Sequence, residues 1–249
     1  MTSLSVVIPS FNDAVMLRAC LLALSVQTRP ADEIIVVDNN SADDTAEVAR
    51  AAGARVVTEL QHGVWPATIA GFDAATGSIV ARIDADSVPP PDWLERVEAI
   101  LLAAPPLSAV TGPGDFYGAN RLVCWIGEHL YIGGYFWFMG RLLGHPPLFG
   151  SNFAMHSAIW AQLRPGLDPT RPRVHDDLQL SYRLTPEMTV IYEKSLRVGV
   201  SARPFSTLRG FGRRLGWGGL GLWQNRGWRR NFQTPDDDQP PEGARSGLD

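Results

Sequence analysis

Two carboxylates stand one residue apart at the end of an apolar run, Ile79-Val80-Ala81-Arg82-Ile83-Asp84-Ala85-Asp86. On a strand end, period-2 spacing would turn Asp84 and Asp86 to the same side, and hard oxygen ligands of this kind suit Mg²⁺ or Mn²⁺. A short hydrophobic strand delivers its last residues to the carboxyl edge of a parallel sheet, where open α/β folds bind ligands. Magnesium held by so few protein groups shares its ion with a substrate phosphate. The same two acids also suit a simple turn after a strand, and only their context separates the two readings.

A second apolar run ends in the same way. Ile34-Ile35-Val36-Val37-Asp38 is followed by Asn39-Asn40-Ser41 and Asp43-Asp44-Thr45, so two acidic strand ends can converge on one ligand. Asp38 is then available for base or ribose hydrogen bonds. Residues 39–41 also suit a turn, with Ser41 capping the next helix, and both roles are compatible.

Periodicity supplies the elements that would position these acids. It predicts strands at 4–9, 33–38, 55–58 and 78–84, and helices at 14–26, 42–52 and 66–75. Pro91 opens a further helix, in which Trp93, Leu94, Val97, Ile100 and Leu101 recur at helical spacing. Strands alternating with helices imply right-handed crossovers and a mostly parallel sheet flanked by helices, an α/β fold. Beyond about Ala104 the alternation becomes irregular, which sets a boundary between nucleotide-type binding before it and acceptor or partner recognition after it.

With 249 residues, 45% of them hydrophobic, the chain can bury a sizeable core. Its net charge of -4 is uninformative, but the distribution of charge is not. Residues 201–232 hold seven arginines and no acid, whereas residues 235–249 hold Asp236, Asp237, Asp238, Glu242 and Asp249 among prolines and glycines. The expectation is a basic aromatic region at 201–232 and a disordered tail at 233–249. Two cysteines, Cys20 and Cys124, make no disulfide framework, and no signal-peptide pattern precedes the first strand, so a cytoplasmic location is expected.

Three segments together, Ser5-Val6-Val7-Ile8-Pro9-Ser10-Phe11-Asn12, Val36-Val37-Asp38-Asn39-Asn40-Ser41 and Asp84-Ala85-Asp86, resemble a family 2 glycosyltransferase of the GT-A fold. The resemblance extends to Phe149-Gly150-Ser151-Asn152-Phe153-Ala154-Met155, which is similar to that family's acceptor-side segment. It also takes in the acidic pair of His175-Asp176-Asp177-Leu178. It covers most of residues 3–200. The resemblance implies a nucleoside-diphosphate sugar donor, an acceptor hydroxyl, and transfer with inversion at the anomeric carbon.

On this resemblance Pro9, Asn12, Asp38 and Asp84 lie on the donor side. Asp86, with Asp84 nearby, holds a divalent Mn²⁺ or Mg²⁺ that stabilises the leaving diphosphate. Gly150, Asn152 and Asp176 lie on the acceptor side, and Asp177 is the catalytic base. Residues 1–104 form the donor half and residues 105–200 the acceptor and catalytic half of one GT-A domain. The acids at 176 and 177 also suit a helix N-terminus for purely electrostatic reasons; the upstream motifs favour catalysis.

The chain departs from the family in several places. Ala67-Thr68-Ile69-Ala70-Gly71 stands where the family often has Ala-Arg-Asn, and His156 where an arginine is frequent. Gln224-Asn225-Arg226-Gly227-Trp228 does not match the Gln-x-x-Arg-Trp motif of processive members, so single transfer is expected.

Residues 122–143 are the most apolar stretch, interrupted by Glu128 and His129. They suit burial or a membrane surface better than a span. In the region after Ser201, arginines interleave with Phe205, Phe211, Trp217, Trp223, Trp228 and Phe232. That composition suits anionic lipid headgroups and also nucleic acid. Without a nucleic-acid fold motif the membrane is favoured, which places the chain peripherally on the inner face of a plasma membrane, next to a lipid-linked acceptor. Two other classes remain: a catalytically silent nucleotide-sugar-binding or membrane scaffold protein, which would need Asp38 but not Asp177, and a nucleotidyltransferase, whose glycine-rich phosphate loop is not visible after the first strand.

Overall fold

The computed structural model describes residues 2–170 and 175–203. Except for Ser201, Ala202 and Arg203, the basic aromatic region and the tail lie outside the described residues. The elements run β1 (Leu4–Ser10), α1 (Ala14–Ser25), β2 (Glu33–Asp38), α2 (Thr45–Ala51), β3 (Arg55–Thr58), α3 (Val64–Ala74), β4 (Ile79–Arg82), β5 (Ser87–Val88), α4 (Trp93–Ala103), β6 (Ser108–Thr111), β7 (Gly114–Tyr117), α5 (Arg121–Ile126), α6 (Gly133–Leu143), β8 (Phe153–His156), α7 (Ser157–Leu163), α8 (Asp176–Ser181), β9 (Thr189–Tyr192) and β10 (Val198–Ser201).

Seven strands form one sheet in the order β3-β2-β1-β4-β8-β6-β9, and β5-β10-β7 form a small second sheet. In the large sheet every pairing is parallel except those of β8, which runs antiparallel to both β4 and β6. Alternation along β1 explains the three layers. Leu4, Val6 and Ile8 pack with Leu17, Leu21, Val48, Trp93 and Leu94 from α1, α2 and α4. Val7 instead faces Trp65, Phe72, Ile159 and Leu180 from α3, α7 and α8.

Several boundaries differ from the sequence expectation. The fourth strand was expected to reach Asp84 but ends at Arg82. The Asp84 N–H turns to Ser87 Oγ at 3.2 Å and the Ser87 N–H to the Asp84 carbonyl at 3.0 Å, so both acids sit in a turn beyond the strand. The second helix starts at Thr45 rather than Ala42, because Asp43 accepts from the Thr45 N–H at 3.1 Å and from the Ala14 N–H at 3.1 Å, which keeps residues 42–44 in a turn. Ser41 is therefore no helix cap; its Oγ accepts the Asn12 N–H at 3.0 Å. The fourth helix starts at Trp93, two residues past Pro91.

The irregularity after Ala104 is a helical excursion inserted between strands: β6, β8 and β9 extend the same sheet. That excursion is helical from Arg121 to Leu143, with a π-helical turn at Gly127–Ile132 joining α5 to α6. Its inner side packs Ile132 against Phe116 and Val200, and Met139 and Leu143 against Leu178 and Tyr182. Its outer side exposes Leu122, Trp125, Ile126, Leu130, Trp137 and Phe138. Among the described residues no helix is long and apolar enough to cross a membrane.

Candidate active site

The site forms where β1 and β4 part. Their pairing ends at Val7 with Arg82, and the last bond across the gap runs from the Ile83 N–H to the Val7 carbonyl at 3.3 Å. Pro9, buried two residues further along β1, has no N–H that would need a partner beyond the end of β4. Because β2 and β3 lie on one side of β1 and β4 on the other, this edge is the sheet's topological switch point.

Two loops over this edge hold each other. Asn12, at φ +50, accepts the Ala42 N–H on Oδ1 at 2.7 Å. Asp38 Oδ1 accepts the Ser41 N–H at 3.0 Å. The Asn39 side chain donates to the carbonyls of Glu59 and Gln61 and accepts the Gly63 N–H, fixing the loop before α3. Asn12 is exposed and Asp38 half-buried at the mouth of the crevice.

Asp84 Oδ2 accepts from Ser151 Oγ at 2.5 Å, and its other oxygen lies 2.8 Å from Arg82 Nη1. Tyr117 donates to the Asp86 carbonyl at 2.7 Å. Burial and the neighbouring Asp84 push the Asp86 carboxyl up to about 6, while Arg203 pulls it down. Arg203 spans the mouth, with nitrogens 2.8 Å from each Asp13 oxygen and one nitrogen 3.1 Å from Asp86 Oδ2. Among the described residues no cluster of three or more His, Cys, Asp or Glu side chains could hold a metal ion. Two mutually repelling acids that already draw in a guanidinium fit a cation that takes its other ligands from water and phosphate.

At the start of α8, Asp176 is 4% exposed and bound by Thr68 Oγ1 at 2.6 Å and Arg82 Nη2 at 2.9 Å. Asp177, half-buried, accepts the Gly150 N–H on Oδ2 at 2.9 Å. Burial, then Asp176, raise the Asp177 carboxyl above the usual range; His175, the Gly150 N–H and Arg82 act the other way. A Cβ at Gly150 would stand 2.5 Å from Arg82 Nη1 and 3.2 Å from Asp177 Oδ2, so glycine lets the backbone close on the cluster.

Asn152, expected on the acceptor side, is fully buried. It accepts from Trp93 Nε1 and donates to the carbonyls of Pro113 and Leu196, so all its polar groups serve the fold and none faces an acceptor. His156 accepts the Ser108 N–H at 3.3 Å between strands. Three residues with no role in the sequence reading, Thr68, Arg82 and Ser151, join the acids into one cluster. The only one with a sequence signal was Arg82, a charge inside an apolar strand.

The chain is 34% identical over 125 residues to the glycosyltransferase AglE of Haloferax volcanii, covering 47% of this chain and 38% of that protein. It is 36% identical over 103 residues to the undecaprenyl-phosphate 4-deoxy-4-formamido-L-arabinose transferase of Sodalis glossinidius, covering 37% and 32% of the two. It thus spans well under half the length of these relatives. Among solved structures, the mannosyltransferase PcManGT of Pyrobaculum calidifontis, in complex with GDP-Man and Mn²⁺, aligns with TM-score 0.68 at 21% identity over 94% of this chain and 66% of that one. That alignment shows the shared GT-A fold. The model described as Glycosyl transferase family 2 matches residues 5–164, more than half of the sequence, so the chain belongs to that family.

Proposed function

We propose that this glycosyltransferase moves a sugar from a nucleoside diphosphate to an acceptor hydroxyl with inversion, at a membrane surface. The observation that carries the reading is the ion-paired cluster around buried Arg82 that brings Asp84, at the switch-point crevice, together with Asp176 beside Asp177. Residues 1–104 would form the donor half, with Asn12 and Asp38 at the nucleoside, and residues 105–200 the acceptor half. The Pyrobaculum neighbour's GDP-Man and Mn²⁺ support a sugar-nucleotide donor and a divalent metal.

Asp177 receives the proton of the acceptor hydroxyl as that oxygen bonds to the anomeric carbon. The bond to the diphosphate breaks, and the diphosphate leaves with the electron pair. One displacement of this kind inverts the centre. The Gly150 N–H fixes the orientation of the Asp177 carboxylate, and buried Asp176 supplies the negative neighbour that raises its basicity. Asp86 and Asp84 would hold the metal, which supplies Lewis-acid stabilisation of the charge growing on the diphosphate.

A membrane-borne acceptor is supported by the outer face of α5 and α6, whose exposed Leu122, Trp125, Leu130 and Trp137 are bounded by exposed Arg121 and Arg141. Arg141 lies 5.5 Å from the Trp137 ring. Apolar and aromatic residues flanked by basic ones are the composition of an interfacial helix. The opposite side of α6 packs on α8, which carries Asp177. The Sodalis relative's name, which includes undecaprenyl phosphate, points the same way.

The test is release of nucleoside diphosphate by purified protein across a panel of UDP- and GDP-sugars, with and without Mn²⁺ and with lipid-phosphate and soluble acceptors. Metal-stimulated release with one donor is expected. Tight donor binding with no release under any condition would replace this reading with that of a silent binding protein.

A further inference from the structure

Arg82 closes β4, paired with Val7 on β1 and Phe153 on β8 in the interior of the sheet, and is 1% exposed. An apolar side chain would serve the core better there, because taking a guanidinium and its partners out of water costs several kcal/mol and a buried ion pair is weak evidence for stability. Its Nε and Nη1 have no hydrogen-bond partner among the described residues, so Nη1 meets its neighbour as an ion pair. What the guanidinium does reach is informative: Nη1 lies 2.8 Å from Asp84 and Nη2 lies 2.9 Å from Asp176. These two acids come from opposite halves of the site, more than ninety positions apart in sequence. Gly150 lies directly against the same guanidinium while its N–H holds Asp177.

We propose that Arg82 is a positioning residue, a rigid fork that ties the donor-side Asp84 to the acid pair opening α8 and so sets Asp177 against the bound donor. The proposal rests on the reading of Asp177 as the base. Arginine suits the task because its planar fork binds two carboxylates in a fixed relation, whereas a lysine ammonium on a flexible stem fixes neither partner's orientation. Thr68 and Ser151 brace the outer ends by donating to Asp176 and Asp84. The fork stiffens the relation between the half-sites without touching a substrate, and small misplacements of a catalytic group cost rate steeply.

The test uses the full chain with the donor found in the panel, and the variants Arg82→Lys, Arg82→Gln and Asp176→Asn, with Asp177→Asn as control. Thermal melting, calorimetric affinity for UDP and GDP with Mn²⁺, kcat and KM are measured on each. Arg82→Lys should fold and keep nucleotide affinity within about threefold, while kcat falls by about tenfold or more with little change in donor KM. Arg82→Gln combined with Asp176→Asn should lose no more kcat than the worse single variant, since each cuts the same link.

A lowered melting temperature with unchanged kcat in Arg82→Lys would make the residue merely structural and overturn the proposal. If the Arg82 variants do not fold, Asp176→Asn decides, because a full kcat there also removes the fork. Turnover retained in Asp177→Asn would instead sink the assignment of the base. An inactive Asp177→Asn beside a fully active Arg82→Lys sinks the fork alone.

Discussion

Asp177 carries an acid whose ionisation is opposed by burial and by Asp176, so its carboxyl loses its proton above the ordinary aspartate value of about 4. A base works only when ionised. The acid limb of kcat is therefore expected above the usual aspartate range, with rate lost as pH falls through it, and a kcat–pH profile checks this. Asp177→Asn should lower kcat by about 10² to 10⁴ and leave nucleotide affinity nearly intact; retained turnover would remove Asp177 from the reaction. Asp86, pushed up to about 6, leads to a different expectation. Mn²⁺-dependent nucleotide binding should weaken as pH drops below about 6, because a protonated carboxyl is a poor metal ligand, and Asp86→Ala should weaken it at every pH. Calorimetry that finds the same affinity in wild type and Asp86→Ala would move the cation elsewhere. Asp84, Asp86 and Asp177 stand out in the sequence because they lie in segments that resemble the family's motifs, and the structure brings Asp84 and the 176–177 pair to one cluster around Arg82. Thr68 and Ser151 do not stand out, since a single hydroxyl in a helix or turn carries no pattern until folding sets it 2.6 or 2.5 Å from a carboxylate.

At the scale of elements, the first four strands follow from apolar runs of the right length, and the buried face of each follows from alternation. Their ends are less legible. Side chains decide them: Ser87 pulls Asp84 out of β4, and Asp43 holds off the start of α2. The later half was obscured because β8 enters antiparallel after a long helical insertion, which breaks the alternation that marks a parallel sheet. Close packing between elements gives a stability prediction. In α3 a Cβ on Gly71 would stand 2.4 Å from Val7 Cγ1 and 2.8 Å from Val37 Cγ2. Gly71→Ala should therefore destabilise the fold by about 1–3 kcal/mol through overpacking, despite alanine's better helix propensity, and denaturant melts would show it. The outer face of α5 and α6 should behave in the opposite way. Replacing Trp125 and Trp137, 52% and 65% exposed, by serine should change stability by no more than about 0.5 kcal/mol per site while weakening vesicle binding. A steep loss of stability would mean that this face is covered in the folded protein.

Along the whole sequence, positive and negative charge are separated in a way that net charge conceals. The seven arginines of residues 201–232 come without an acid, and the acids of residues 235–249 follow them. Arg203, the first of the seven, lies at the mouth of the crevice against Asp13 and Asp86. On the proposed membrane reading, each basic side chain close to an anionic surface would contribute about 1 kcal/mol, and the exposed tryptophans of α5 and α6 would add apolar burial of their own. These two contributions respond differently to conditions. Charge attraction is screened by salt, whereas insertion of tryptophan and leucine is not. Removing residues 204–249 should therefore reduce sedimentation with anionic vesicles at low salt and bring it close to the level of the full chain at high salt. Substituting Trp125 and Trp137 should reduce binding at both salt levels. A truncated protein that binds anionic and neutral vesicles as well as the full chain does at low salt would show that the arginine run has no part in membrane attachment and would leave the helical face as the surface to be tested.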